Sequence, residues 1–354
     1  MAKKKARKKS EKSTWIYIAA VVVLSVLGIY AFTVYQRLFK PNVKLEGNTD
    51  AFVYIRSSDT YENFLESLGK SGFILDLELF DKAARQKDLP KALRPGKYAL
   101  EEGMTNNALI NKIKAGNQTA VKVRLNAERN LAEIAGTLSK LTEADSLELI
   151  DRLTDEDTAK YYGFTRSTFI AMFIPNTYEF YWASNASAVL KRFANEYKKV
   201  WNESRRQRAV DMGLNPDEVT TLASIVAQET AIRSEAPRIA GVYLNRLRKD
   251  MPLQADPTLR FAANDPTIRR LLNSDKNIDS PYNTYVNKGL PPGPIGLADV
   301  RFIDAVLQAE SHEYLYFCAK DDFSGYSLFT SNYAEHQNNA RRYQRALSKR
   351  GIYR

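Results

Sequence analysis

The sequence predicts an α+β protein held on a membrane by one N-terminal helix, and three observations predict it. Residues 13–36 form an uncharged, largely apolar stretch of 24 positions close to the N-terminus. The chain beyond it mixes short strand patterns with amphipathic helical ones. Residues 37–354 are also long enough for two domains of ordinary size, each with its own core. These patterns give a basic tail over 1–12, a transmembrane helix over 13–36, a small βααβ module with its connector over 37–121, and a larger α+β domain over 122–354.

At about 1.5 Å of rise per residue, residues 15–35 build a helix of roughly 32 Å, enough to cross a hydrocarbon core about 30 Å thick. Trp15, Tyr17, Tyr30 and Tyr35 stand near its ends, where aromatics anchor to the membrane interface. The preceding tail carries seven Lys or Arg against one Glu. Such charge stays on the cytoplasmic side, so the tail is expected inside and everything after residue 36 beyond the cytoplasmic (inner) membrane, in a single-pass arrangement. A cleaved signal peptide has a shorter apolar core, about 7–15 residues ending at small side chains, whereas this one closes on Val34-Tyr35-Gln36-Arg37. Because an apolar helix follows it directly, the basic tail is a topology signal, and no nucleic-acid partner is expected. Of the formal net charge of +11, +6 sits in the tail; the mild remaining excess suits an anionic polymer such as the cell wall.

The single cysteine, Cys318, excludes an intramolecular disulfide. Two histidines, His312 and His336, without an HExxH or CxxC pattern give no recognisable zinc site. There is no Walker loop, no GxGxxG and no GxSxG, so neither metal nor cofactor is expected. Cys318 falls in the apolar run 314–319, which reads as a buried strand and makes it a packed thiol. Chemistry is left to carboxylates, hydroxyls and amides.

In order along the chain, Ala51-Phe52-Val53-Tyr54-Ile55 reads as a strand, and Thr60 caps a helix whose Tyr61, Phe64, Leu65 and Leu68 recur at helical spacing before Gly72 stops it. A second amphipathic helix is expected over 75–84. Arg94-Pro95-Gly96 then turns the chain into a strand over 97–100. Thr105 begins a further helix with Leu109, Ile110 and Ile113 on one face and Gly116 as C-cap, ahead of a strand over 120–125. Farther on, Phe173-Ile174-Pro175-Asn176-Thr177-Tyr178-Glu179-Phe180-Tyr181-Trp182 places a turn among dense aromatics. Tyr178 and its neighbours are either core or a wall for stacking sugars, and position alone does not decide.

The decisive stretch starts at Asn215, an N-cap, with Pro216 in the first helical position and Glu218 completing a capping box. The helix that follows has the apolar stripe Leu222, Ile225 and Val226, and Glu229 continues it, so its carboxylate falls on the face that should be buried. Burial raises a carboxyl pKa, as a general acid near neutral pH requires. An ion pair with Arg233, or with an arginine of the next helix, is the structural alternative. That next helix runs through Arg238, Ile239, Val242, Tyr243, Arg246 and Leu247, and Pro/Gly-punctuated loops follow it.

ASIVAQET (223–230), NRLR (245–248), LQADPT (253–258), PYNTY (281–285), GLPPGPI (289–295), YLYF (314–317) and FTSNYAEH (329–336) together resemble, in order and spacing, the YceG-type endolytic murein transglycosylases, the MltG family. That resemblance covers most of the chain, and it implies a LysM-like identity for the βααβ module. The active-site run of that family is EKET-like; here Ala227 and Gln228 replace its first two residues, leaving Glu229 as the only carboxylate of the run. By resemblance, Glu229 is the catalytic acid and base that cleaves the β-1,4 bond between N-acetylmuramic acid and N-acetylglucosamine in nascent peptidoglycan, and the muramic C6 hydroxyl closes a 1,6-anhydro ring. Candidates for holding sugar hydroxyls and acetamido groups are Asp256, Gln254, Asn283, Tyr285, Thr330, Asn332 and Tyr178; each is equally able to be a turn former, a cap or core. His336 beside Glu335 matches an EH pair of the family. The partners implied are glycan strands, the membrane and peptidoglycan synthases such as penicillin-binding proteins. Two alternatives stay open: a muramidase with Asp256 or Glu179 as second carboxylate, and a non-catalytic peptidoglycan-binding anchor.

Overall fold

Local signals start and stop most elements of this α+β chain. The computed structural model describes residues 2–47, 50–126, 128–264 and 273–350. They divide into two compact units, Met1–Val121 with Tyr181–Ala183, and Lys122–Phe180 with Ser184–Arg354.

The first unit opens with α1 (Ala2–Phe39). Its segment Thr14–Phe39 is, among the described residues, the one helix long and apolar enough to cross a membrane, and its Ile16 and Leu24 are more than 60% exposed. β1 (Phe52–Ile55), α2 (Tyr61–Lys70), α3 (Leu77–Gln86) and β2 (Gly96–Ala99) follow, the strands pairing antiparallel with Phe52 opposite Ala99 and Ile55 opposite Gly96. Thr60 caps α2 through the Asn63 amide, and Thr105 caps α4 (Asn106–Ala115) through the Ala108 amide. Gly116 ends α4 at φ +71°, a left-handed conformation that costs glycine least. Ile55, Phe64, Leu68, Phe80, Tyr98 and Ile110 fill the core. The helix expected over 75–84 begins later. Asp76 accepts from the Leu79 amide at 2.8 Å and so acts as the cap, which leaves Leu75 outside the helix and 62% exposed.

Strand β3 (Ala120–Leu125) leads into the second unit and pairs with β4 (Asn176–Tyr181). The helices of this unit are α5 (Leu131–Ser139), α6 (Ser146–Thr154), α7 (Glu156–Tyr161), α8 (Ala186–Val200), α9 (Glu203–Asp211), α10 (Pro216–Glu229), α11 (Ala236–Arg248), α12 (Asp256–Ala263) and α13 (Val300–Leu307). An antiparallel hairpin, β5 (Tyr316–Ala319) with β6 (Ser327–Thr330), and α14 (Tyr333–Lys349) complete it. At its centre α10 packs against α11 and α13, every residue from Val219 to Val226 being buried. Cys318 does lie on a strand, but β5 is a half-buried hairpin strand, so the thiol is partly rather than fully enclosed; burial pushes its pKa up and keeps it protonated.

Candidate active site

Helix α10 carries a carboxylate from the packed interior to an open cleft. Its start is a complete capping box: the Asn215 side chain accepts from the Glu218 amide at 3.0 Å, and Glu218 accepts from the Asn215 amide at 2.8 Å. The buried Ser224 hydroxyl accepts from the Ile295 amide at 3.0 Å, and Gln228 donates to the Ile295 carbonyl at 3.3 Å, which fastens the 289–295 loop along the helix. Leu222, Ile225 and Val226 are fully buried, and Glu229, the last helical residue, extends their stripe to the rim of the core. There it lines a cleft of about 500 Å³ together with Tyr243, Arg246, Gln254, Asp256 and Tyr285, and with Lys276, Tyr316, Tyr333 and His336.

The Glu229 side chain opens on this cleft and is enclosed by protein elsewhere. Burial, the largest influence, pushes its pKa up to about 7; the Tyr243 hydrogen bond pulls the other way, the Asp256 charge raises it further and Arg260 opposes. The hydroxyl of Tyr243, itself 2% exposed, donates to Glu229 Oε1 at 2.7 Å. Among the described residues no arginine pairs with Glu229 within 4 Å, so the ion-pair alternative is not what holds it.

Arg246 is instead a strap. Only 7% exposed, it donates to the carbonyls of Leu315 at 2.7 Å and of Pro252 and Leu253 at 3.0 Å, and to Gln254 Oε1 at 3.2 Å. Its guanidinium lies 5.1 Å over the Tyr316 ring. One residue back, Asn245 donates to the carbonyls of His312 at 2.7 Å and Tyr314 at 2.9 Å. The 245–248 motif thus holds two walls of the cleft in register.

The candidate residues divide. Asp256, at the first turn of α12, accepts from the Tyr285 hydroxyl at 2.5 Å, and both line the cleft with Glu229. Gln254 also lines it, with a left-handed φ of +51° at which its backbone N–H donates to the Thr284 carbonyl at 2.9 Å. Asn283 is fully buried and works on its own loop, donating to the carbonyls of Lys276 at 3.0 Å and Ile278 at 2.8 Å and accepting from the Tyr285 amide at 3.0 Å. Thr330, 4% exposed, donates to Glu335 and accepts from the Asn332 amide; Asn332 is the N-cap of α14. Neither lines the cleft, nor does Tyr178, which is 3% exposed, donates to the Ile174 carbonyl and packs edge-on against Phe193 at 4.8 Å. Glu179 is exposed on β4, 4.0 Å from Lys122. His336 stacks on Tyr316 at 5.3 Å, and burial pushes its pKa down. Tyr243 and Arg246 are the residues that sequence reasoning assigns only to a helix stripe; a hydroxyl and a cation standing among buried apolar positions are the signal that marks them.

A larger groove of about 940 Å³ lies between α7 and α8. Its carboxylates are the exposed Asp157 and Asp155, and the Thr158 hydroxyl holds Asp155 below the usual carboxylate range.

Residues 53–342 match the model of the YceG-like family. An endolytic murein transglycosylase of Bacillus subtilis is 29% identical over 333 residues, spanning 88% of this chain and 90% of that protein. One from Streptococcus pneumoniae is 25% identical over 360 residues and 91% of this chain, which spans 64% of the length of that relative. The crystal structure of a YceG-like protein from Listeria monocytogenes shares the fold, with a TM-score of 0.55 and 24% identity over 82% of this chain and 98% of that one.

Proposed function

The chain belongs to the YceG-like family, and from that premise we propose that it is a membrane-anchored endolytic peptidoglycan lytic transglycosylase with Glu229 as its single general acid and base. The observation that carries this reading is a carboxyl whose pKa is pushed up to about 7, set in a cleft and held by a buried phenol. In the first step Glu229 gives its proton to the glycosidic oxygen as the bond to C1 of the muramic sugar breaks. The carboxylate so formed takes the proton of the C6 hydroxyl, whose oxygen closes on C1. Acid and base are regenerated in one turnover, and no second carboxylate is required. Asp256, Gln254 and Tyr285 line the same cleft and are the groups proposed to hold the substrate.

Topology supports the same reading. The basic tail is proposed to stay in the cytoplasm and the catalytic domain over 122–354 to lie beyond the membrane, within reach of glycan strands and of the synthases proposed as partners. The module over 37–121 is proposed to be LysM-like and to assist engagement of the strand.

A muramidase is the second reading, favoured by one fact: Asp256 lines the cleft beside Glu229 and could activate water. Mass analysis of the ends released from purified glycan strands separates the two. Ends of 1,6-anhydro-muramic acid, one water lighter than a reducing end, are expected; predominantly reducing ends would establish the muramidase instead.

A further inference from the structure

Tyr243 donates its hydrogen bond to one particular oxygen of Glu229, and this asymmetry has a chemical consequence. The phenol is held by its burial in α11 and by edge-on packing against Phe317 at 6.0 Å, so its hydroxyl has little freedom to turn elsewhere. It reaches Oε1 at 2.7 Å, while Oε2 has no hydrogen-bond partner among the described residues. A hydrogen pointed at Oε1 repels a second hydrogen on the same atom. We propose that Tyr243 is a positioning residue that confines the proton of the Glu229 acid to Oε2, the oxygen left for the substrate.

This inference rests on the lytic reaction proposed above. The O–H bond at Oε2 breaks as the glycosidic oxygen gains the proton, and Oε2 recovers one from the C6 hydroxyl. Oε1 accepts from Tyr243 throughout. Tyr243 keeps its own proton, because its burial beside a carboxylate disfavours the phenolate. The same bond is stronger to a carboxylate than to a neutral acid, so it stabilises the form that must accept the C6 proton. A rotation of the carboxyl that would present Oε1 to the sugar is thereby disfavoured, and the acid is poised without the substrate having to select its orientation.

Several other titratable or charged groups face this carboxyl: Arg246 on α11, Asp256 and Arg260 on α12, Tyr285 and Lys276 in the loop that follows, and Tyr316, Tyr333 and His336 from the C-terminal hairpin and helix. The test must therefore read Glu229 itself. In the full-length protein in detergent, the carboxyl stretch of Glu229 can be followed by infrared difference spectroscopy against pH, with Glu229→Gln identifying the band. Tyr243→Phe keeps the ring and its packing but removes the donor, so the titration should move upward by about one unit or more. In the same variant kcat should fall roughly 10- to 100-fold with KM little changed. A difluorotyrosine at position 243, a stronger donor, should move the titration in the opposite direction. A titration that stays in place in both variants would show that Tyr243 only packs, and would overturn the proposal whether or not Glu229→Gln abolishes cleavage. Full cleavage by Glu229→Gln, in turn, would remove the reaction assigned to this site while leaving the spectroscopic coupling measurable.

Discussion

The two ends of α10 each carry a glutamate, and the neighbours of each decide its role. At the N-terminal end Glu218 is occupied by the backbone, accepting from the Asn215 amide in a reciprocal cap. At the C-terminal end Glu229 has no backbone donor of that kind; a single phenol holds one oxygen, and the surrounding protein makes ionisation costly. Helix ends reinforce this contrast, since a negative charge is favoured at an N-terminus and disfavoured at a C-terminus. The same side chain on the same helix is therefore a structural clasp at one end and a poised acid at the other.

Neutralising each end in turn is the strongest way to break this comparison. Glu229→Gln should fold normally and lose cleavage by about 10²–10⁴-fold, the usual contribution of positioned proton transfer. Glu218→Gln should keep nearly full activity. Counting new chain ends released from glycan strands measures both, and equal losses would show that the two ends do not differ in role.

The pH dependence sharpens it. Activity should decline as pH rises through about 7, because Glu229 must start protonated. Asp256→Asn removes a neighbouring negative charge and retains an acceptor for Tyr285, so the decline should move to lower pH. Stability follows the same carboxyl. Its folded pKa of about 7 lies above the ordinary 4.5, so the native state binds the extra proton between these values. The contribution of Glu229 is then complete below about pH 4.5 and is lost as pH rises through about 7. Urea unfolding should show this slope in the unaltered protein and a flatter one in Glu229→Gln, whereas Glu218→Gln should leave it in place.

What the sequence makes legible is what is local. The caps Thr60, Thr105 and Asn215, the Gly116 stop and the stripe leading to Glu229 are all set by spacings within a few residues, and the structure has each of them. The partner of Glu229 is not local. Tyr243 stands 14 residues on, and only the packing of α10 against α11 brings its hydroxyl to the carboxylate. Loop polarity is equally mute. Asp256, Asn283 and Thr330 look alike as polar residues in motifs, yet one faces the cleft while the others bond backbone groups or a neighbouring carboxylate, because a buried amide or hydroxyl must find a partner wherever the chain passes. The shift of α3 to start at Leu77 has the same character. Leu75 has the right hydrophobicity for the stripe, but the Asp76 cap outranks it.

The smallest expected effect returns to the first end of α10. Asn215→Ala removes the side-chain acceptor that serves the Asp217 and Glu218 amides, while Glu218 can still reach the Asn215-position amide from its own side. Half of the capping box survives, so the loss should be about 1 kcal/mol. Because Val219 to Val226 remain packed, that loss should not propagate along the helix to Glu229. The urea midpoint should fall accordingly, with the pH of the activity decline unchanged. A displaced decline would mean that the register of α10, and not only its far end, sets the acidity of the carboxyl in the cleft.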